Sequence, residues 1–250
     1  MVFPVTLPRL SWGDPGANRH ALLVHGLGSN GALMWRYGVA LAEDGWHVDA
    51  VDLRGHGSAP RTLDYRIAAY AADLAVTRPA HGDWDLVIGH SLGGAAATAS
   101  ATAHPEWTRR LILIDPAIHL ADRDREIVRE SQENAFADPS EAAVRAEHPT
   151  WHEHDIELKA LSARQASRWA VEQTSVQNPA WDERAAASAL RIPTHVIASD
   201  PEVYSIFTGS LIDEVTANPL VTVSVVAGAG HSPHRDGPDQ TIRQLRTALA

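Results

Sequence analysis

Asp85-Leu86-Val87-Ile88-Gly89-His90-Ser91-Leu92-Gly93-Gly94-Ala95-Ala96-Ala97 carries the strongest structural signal in the chain. Asp85 to Gly89 is a short apolar run, as expected of a strand buried on both faces. Gly89-His90-Ser91-Leu92-Gly93 then spells G-x-S-x-G, and the alanine-rich run from Gly94 to Ala103 reads as a helix. The two glycines flank a turn so tight that a side chain at either position would meet neighbouring backbone. Such a turn holds its serine at the helix N-terminus with the hydroxyl projecting from the sheet. The five-residue pattern also describes a plain glycine loop before a helix, so its weight comes from the strand in front and the helix behind.

Working outward, five further β-rich runs recur along the chain: His20–His25, His47–Leu53, Arg110–Asp115, Pro193–Ser199 and Val221–Ala227. Helical patterns separate them near Leu33–Asp44, Ile67–Thr77 and Leu92–His104, and another closes the chain from about Asp236. This alternation predicts an α/β fold, a mainly parallel sheet with helices on both faces. The rhythm breaks between about Ala117 and Asn178, where charged, alanine-rich sequence carries spaced apolar positions such as Ile127, Val128, Phe136, Val144, Ile156 and Leu161. That pattern predicts several amphipathic helices inserted between two strands. The expected organisation is a core of residues 1–116 and 179–250 with a helical lid, 117–178, over the carboxyl ends of the strands, where open α/β sheets bind ligands. Within the insertion, Asp138 is the expected N-cap of a helix with Pro139 at its first position.

With strand, G-x-S-x-G turn and helix in this order, the chain resembles the α/β-hydrolase superfamily, in particular its lid-bearing esterase, lactonase and C–C hydrolase branch. The resemblance runs from His20 to the C-terminus and is weakest across the insertion. It implies that Ser91 is a nucleophile. His25-Gly26-Leu27-Gly28-Ser29 resembles the family's oxyanion loop, which implies backbone N–H donors at Leu27 and at Leu92. His25 is then a structural member of that loop. Gly228-Ala229-Gly230-His231-Ser232-Pro233-His234 follows the last strand, where the family keeps its base, so His231 is the expected base and His234 a bystander. A near-neutral imidazole suits both taking the serine proton and returning it.

The acid has two candidates. Asp200, at the end of the Pro193–Ser199 strand, resembles the family's strand-end aspartate, although the glycine that often precedes it is missing. Asp115, ending the strand before the insertion, is the alternative, since some members supply the carboxylate from there. Asp52 to Ser58 resembles a structural turn of the family, so His56 and Ser58 are given no chemistry.

Composition bounds the rest. The chain has 250 residues, of which 44% are apolar and 21% charged, values typical of a globular domain. A formal charge of −10 offers no electrostatic footprint for nucleic acid or an anionic membrane surface. The absence of cysteine excludes disulfides and thiolate chemistry. No secretory signal is visible at the N-terminus and no window reaches membrane-spanning length, so a soluble cytoplasmic protein is expected. His148, His152 and His154 complete no zinc spacing, and no metal is expected. Among the eight tryptophans, Trp35, Trp151 and Trp169 are candidates to wall an apolar pocket. The expected activity is cofactor-free hydrolysis of a hydrophobic carboxylic ester or lactone through an acyl-enzyme on Ser91. The same triad also serves C–C hydrolases, perhydrolases, acyltransferases and slow-turnover receptors. A serine at position 91 argues against the aspartate-nucleophile dehalogenases and epoxide hydrolases.

Overall fold

The computed structural model of the chain describes residues 3–250. Three strands make the centre of the sheet: β2 (His20–Val24), β4 (Leu86–His90) and β5 (Leu111–Ile114), every residue of which is buried. Alternation of side chains splits each strand between two cores. Ala21 and Leu23 of β2 pack on one side with Tyr37 and Leu41 of α1 (Trp35–Glu43) and Leu245 of α11 (Pro238–Leu249). Leu22 and Val24 pack on the other with Tyr70 and Leu74 of α2 (Ile67–Val76) and the alanines of α3 (Leu92–Ala103). Each such leucine taken fully out of water contributes roughly 1.5–3 kcal/mol.

With β1 (Arg9–Trp12), β3 (His47–Val51), β6 (Thr194–Ser199) and β7 (Val221–Val226), the sheet has seven strands in the order β1-β3-β2-β4-β5-β6-β7. All neighbours are parallel except β1, which pairs antiparallel with β3. β1 was not among the six expected strands. It has four residues, alternates exposed with half-buried positions, and exists as a strand because Leu10 and Trp12 meet Ala50 and Val48 across the edge of the sheet.

Helix α3 lies very close to the sheet because Gly93 has no side chain: a Cβ there would sit 2.4 Å from the Val24 carbonyl oxygen and 2.5 Å from that of His25. At Gly89 it would sit 2.6 Å from the Gly93 oxygen. Both glycines of the motif are therefore sterically required.

Between β5 and β6 the chain forms α4 (Asp122–Ala137), α5 (Glu141–Glu147), α6 (Glu153–Gln165), α7 (Arg168–Gln177) and α8 (Arg184–Ser188). The N-cap of α5 is Ser140, whose hydroxyl accepts from Ala143 N at 3.1 Å. The expected cap, Asp138, instead closes the end of α4, and Pro139 precedes the cap rather than opening the helix. Ser140 wins because it stands three residues before the amide it must reach. Polar bonds tie these helices to the sheet domain. Asp155 of α6, fully buried, accepts from Trp35 Nε1 at 2.8 Å and from Arg36 Nη2 at 2.7 Å, and Thr174 of α7 bonds the Tyr70 hydroxyl at 2.7 Å. Helices α9 (Ser210–Thr216) and α10 (Pro233–Asp236) complete the fold. Among the described residues no helix is long and apolar enough to cross a membrane.

Candidate active site

The strand order reverses between β2 and β4, and parallel sheets open a crevice at such a point beyond their carboxyl ends. Ser91 is the first residue after β4 and Asp115 the first after β5. Both stand at positive φ, 52° and 36°, where only Trp181 joins them among the described non-glycine residues. Such backbone costs of order 1–3 kcal/mol per residue and persists only when the surroundings fix it. Here Ser91 N donates to Ile114 O at 3.1 Å, the Ser91 carbonyl accepts from Ala95 N and Ala117 N, and Asp115 N donates to Ile197 O at 2.9 Å.

His231 comes from the glycine turn between β7 and α10. Its Nε2 lies 2.9 Å from Ser91 Oγ and its Nδ1 lies 2.6 Å from Asp115 Oδ2. A carboxylate only accepts, so Nδ1 carries the proton and Nε2 is left to accept from the serine hydroxyl. His90 donates from Nε2 to the His231 carbonyl at 2.8 Å and fixes the backbone that carries the base. Burial first, then the neighbouring His231 and Arg235, push the His90 imidazole well below its ordinary range, so it stays neutral.

Asp115, not Asp200, is the carboxylate that meets His231, which corrects the preference drawn from the sequence. Asp115 is fully buried, and Ser205 Oγ (2.6 Å), Ser199 N (3.2 Å) and Ile206 N (3.2 Å) donate to it besides His231. Asp200 points elsewhere. It accepts from Gly228 N at 2.7 Å and Glu202 N at 2.9 Å, which hold its carboxyl below the usual range and brace the turn leading to His231. Asp115 meets these donors from left-handed backbone, φ 36°, a feature no local sequence pattern announces.

Leu27 borders the crevice and Leu92 opens α3. Among the described residues neither amide has an acceptor, and Leu92 N–H is one of the first-turn donors that a helix cannot satisfy itself. The loop around Leu27 is held by two buried neutral histidines. His25 donates from Nδ1 to Gly26 O (2.7 Å) and accepts at Nε2 from Leu53 N (3.0 Å). His56 donates to Arg54 O (3.0 Å) and accepts from Gly28 N (3.1 Å), and burial followed by the nearby His25 pushes it down to about 3.

A cavity of about 500 Å³ opens over Ser91 and His231, between the strand ends and the inserted helices. Ile127 and Val128 of α4 give it an apolar wall, and Trp151 lines it with its indole N–H on Asp236 Oδ1 at 2.6 Å. Trp35 and Trp169 do not line it. Trp35 is turned to Asp155, while Trp169 is 45% exposed and packs edge-on against Tyr65, because each follows the face of its own helix. Lys159 and Arg235 also line the cavity, though nothing in their local sequence marks them. No cluster of three metal-ligating side chains occurs among the described residues.

The sequence model of the alpha/beta hydrolase family matches residues 21–244 of this chain. The chain is 35% identical over 152 residues to lipase LipV of Mycobacterium tuberculosis (strain ATCC 25618 / H37Rv), a match over 60% of this chain and 57% of that protein, little more than half the lipase's length. It is 28% identical to esterase YbfF of Escherichia coli (strain K12), across 93% of each chain. The solved structure of an esterase from Exiguobacterium antarcticum superposes with a TM-score of 0.79 over 98% of this chain and 96% of that one, at 16% identity, a likeness of fold alone.

Proposed function

The chain belongs to the alpha/beta hydrolase family, and from that premise we propose that it is a serine hydrolase that cleaves carboxylic esters or lactones through an acyl-enzyme on Ser91. One observation carries the reading: the unbroken line from Ser91 Oγ through His231 to Asp115, with contacts of 2.9 and 2.6 Å. Relatives named as a lipase and an esterase support the choice of an ester bond.

In the reaction, His231 Nε2 takes the Ser91 proton as Oγ attacks the substrate carbonyl. The Leu27 and Leu92 amides, both without an acceptor among the described residues, receive the oxyanion of the tetrahedral intermediate. Donors of this kind are worth about 2.7–4 kcal/mol each, because the charge they meet develops only in the transition state. His231 then protonates the leaving alcohol, and the same imidazole activates a water that releases the acid. Asp115 holds the imidazole in the required tautomer and stabilises its cationic form without taking the proton. The chemistry calls for no metal or organic cofactor. Helices α4 to α7, within 117–178, act as a cap that shields the acyl-enzyme and supplies the far wall of the substrate cavity.

Rapid mixing with a 4-nitrophenyl ester tests this. The expected record is a burst of nitrophenolate equal to the enzyme present, then slower turnover, both absent in Ser91→Ala. Turnover by Ser91→Ala at the rate of the unsubstituted protein would overturn the proposal.

A further inference from the structure

The cavity in front of Ser91 holds two cations that the protein does not neutralise. Arg235 sits on α10, four residues beyond His231, and is only 5% exposed. Lys159 reaches the same cavity from α6. Among the described residues neither has a carboxylate oxygen within 4.0 Å. Arg235 Nη1 donates to Ser232 Oγ at 2.9 Å and its guanidinium lies over the Trp151 ring, 5.2 Å from the centroid, but Nε and Nη2 have no hydrogen-bond partner among the described residues. Unpaired buried charge is strongly unfavourable, and an anionic ligand placed beside these two cations would relieve that cost.

The acids nearby are engaged or remote. Asp236 spends Oδ1 on Trp151 Nε1 (2.6 Å) and Oδ2 on Gly230 N (2.9 Å). Asp155 is committed to Arg36 and Trp35. Glu147 borders the cavity with its side chain 60% exposed, beside His148. Burial, and then the Arg235 charge, pull Lys159 down to about 8. A lysine in that condition gains most from an anion placed beside it.

We propose that Lys159 and Arg235 form a carboxylate-binding subsite, so that the preferred substrate is an acyl ester whose far end is a free carboxylate, such as a monoester of a dicarboxylic acid. The apolar wall of Ile127 and Val128 accommodates the methylenes between the two ends. Inorganic phosphate can reach the two cations but leaves the apolar wall of Ile127 and Val128 empty, so a carboxylate carried on methylenes suits the site better. The inference rests on the serine-hydrolase reading for the identity of the reacting bond, and on the two cations alone for the subsite.

Two measurements separate these. Calorimetric titration of Ser91→Ala with glutarate reads the subsite without any reaction. Glutarate is expected to bind, inorganic phosphate to bind at least tenfold more weakly, and Lys159→Gln in the same background to weaken glutarate at least tenfold. No glutarate binding, phosphate binding as tightly, or indifference to Lys159→Gln would each overturn the subsite. In the active protein, kcat/KM for mono-4-nitrophenyl glutarate should exceed that for 4-nitrophenyl pentanoate at least tenfold, a difference of about 1.4 kcal/mol. Lys159→Gln should collapse that ratio through KM, and Lys159→Arg should restore most of it. Equal kcat/KM for the two esters, or an equal loss on both in Lys159→Gln, would refute the substrate preference. Glutarate binding with neither ester cleaved would leave the subsite standing and sink the hydrolase reading instead.

Discussion

Replacing Asp115 by asparagine removes one charge and exchanges one carboxylate oxygen for an NH2 group at a point where four donors converge. Oδ1 receives Ser199 N–H and the Ser205 hydroxyl, and Oδ2 receives Ile206 N–H and His231 Nδ1–H. An amide has one acceptor atom, so one backbone N–H must face another donor, which costs about 1–3 kcal/mol of stability. If the NH2 takes the Oδ2 position, His231 must turn its proton to Nε2 and can no longer accept from Ser91. In either orientation the imidazolium loses its counter-charge. The expected loss is about 10⁴ in kcat, near 5.4 kcal/mol of transition-state stabilisation. Asp200→Asn, which touches only the Gly228 and Glu202 amides, should change kcat by no more than about threefold. The assay is steady-state hydrolysis of a 4-nitrophenyl ester by both variants, with urea melts to establish that each is folded. A folded Asp115→Asn within tenfold of the unsubstituted rate would remove Asp115 from the triad, as would an equal collapse in Asp200→Asn.

Three further outcomes follow from the geometry. Ser91→Gly should abolish hydrolysis yet raise the unfolding free energy by about 1 kcal/mol, because glycine adopts φ 52° without strain; a lower urea midpoint with unchanged slope would contradict this. Gly93→Ala should destabilise the fold by about 3 kcal/mol, since its Cβ would meet the Val24 and His25 carbonyl oxygens; an unchanged thermal midpoint would show that α3 can move away. Lys159→Met should be more stable than the unsubstituted protein below pH 8, with the advantage shrinking as pH rises towards 10.5. The sign follows because folded Lys159, at about 8, sheds its proton before the unfolded chain does, so the unsubstituted protein gains stability across that window. Melts at pH 7 and pH 9.5 that differ by the same amount would contradict it.

What the sequence made legible was what local pattern controls. The apolar runs around Leu22, Ile88 and Ile112 mark strands buried on both faces, and Gly89 and Gly93 mark a turn where backbone oxygens exclude any Cβ. The carboxylate was not legible. Asp115 and Asp200 both end parallel strands and both precede proline, and what separates them is a left-handed backbone at Asp115 together with donors from Ser205 and Ile206, some 90 residues away. Strand β1 was hidden because its partner lies 40 residues on and its four residues alternate weakly. The cap at Ser140 escaped because Asp138, two residues earlier, has the same capping chemistry. Trp35 and Trp169 show that an aromatic near a site in sequence faces wherever its helix turns it, and Arg235 shows the converse, a cation beside the base that only the fold reveals.

If Ser91 is a nucleophile primed by His231, a fluorophosphonate must label it, and intact-mass spectrometry reads that labelling. One phosphonyl adduct per chain is expected, mapped to the peptide bearing Ser91, absent in Ser91→Ala and formed far more slowly in His231→Ala. No adduct on the folded protein, or an adduct that persists in Ser91→Ala, would contradict it.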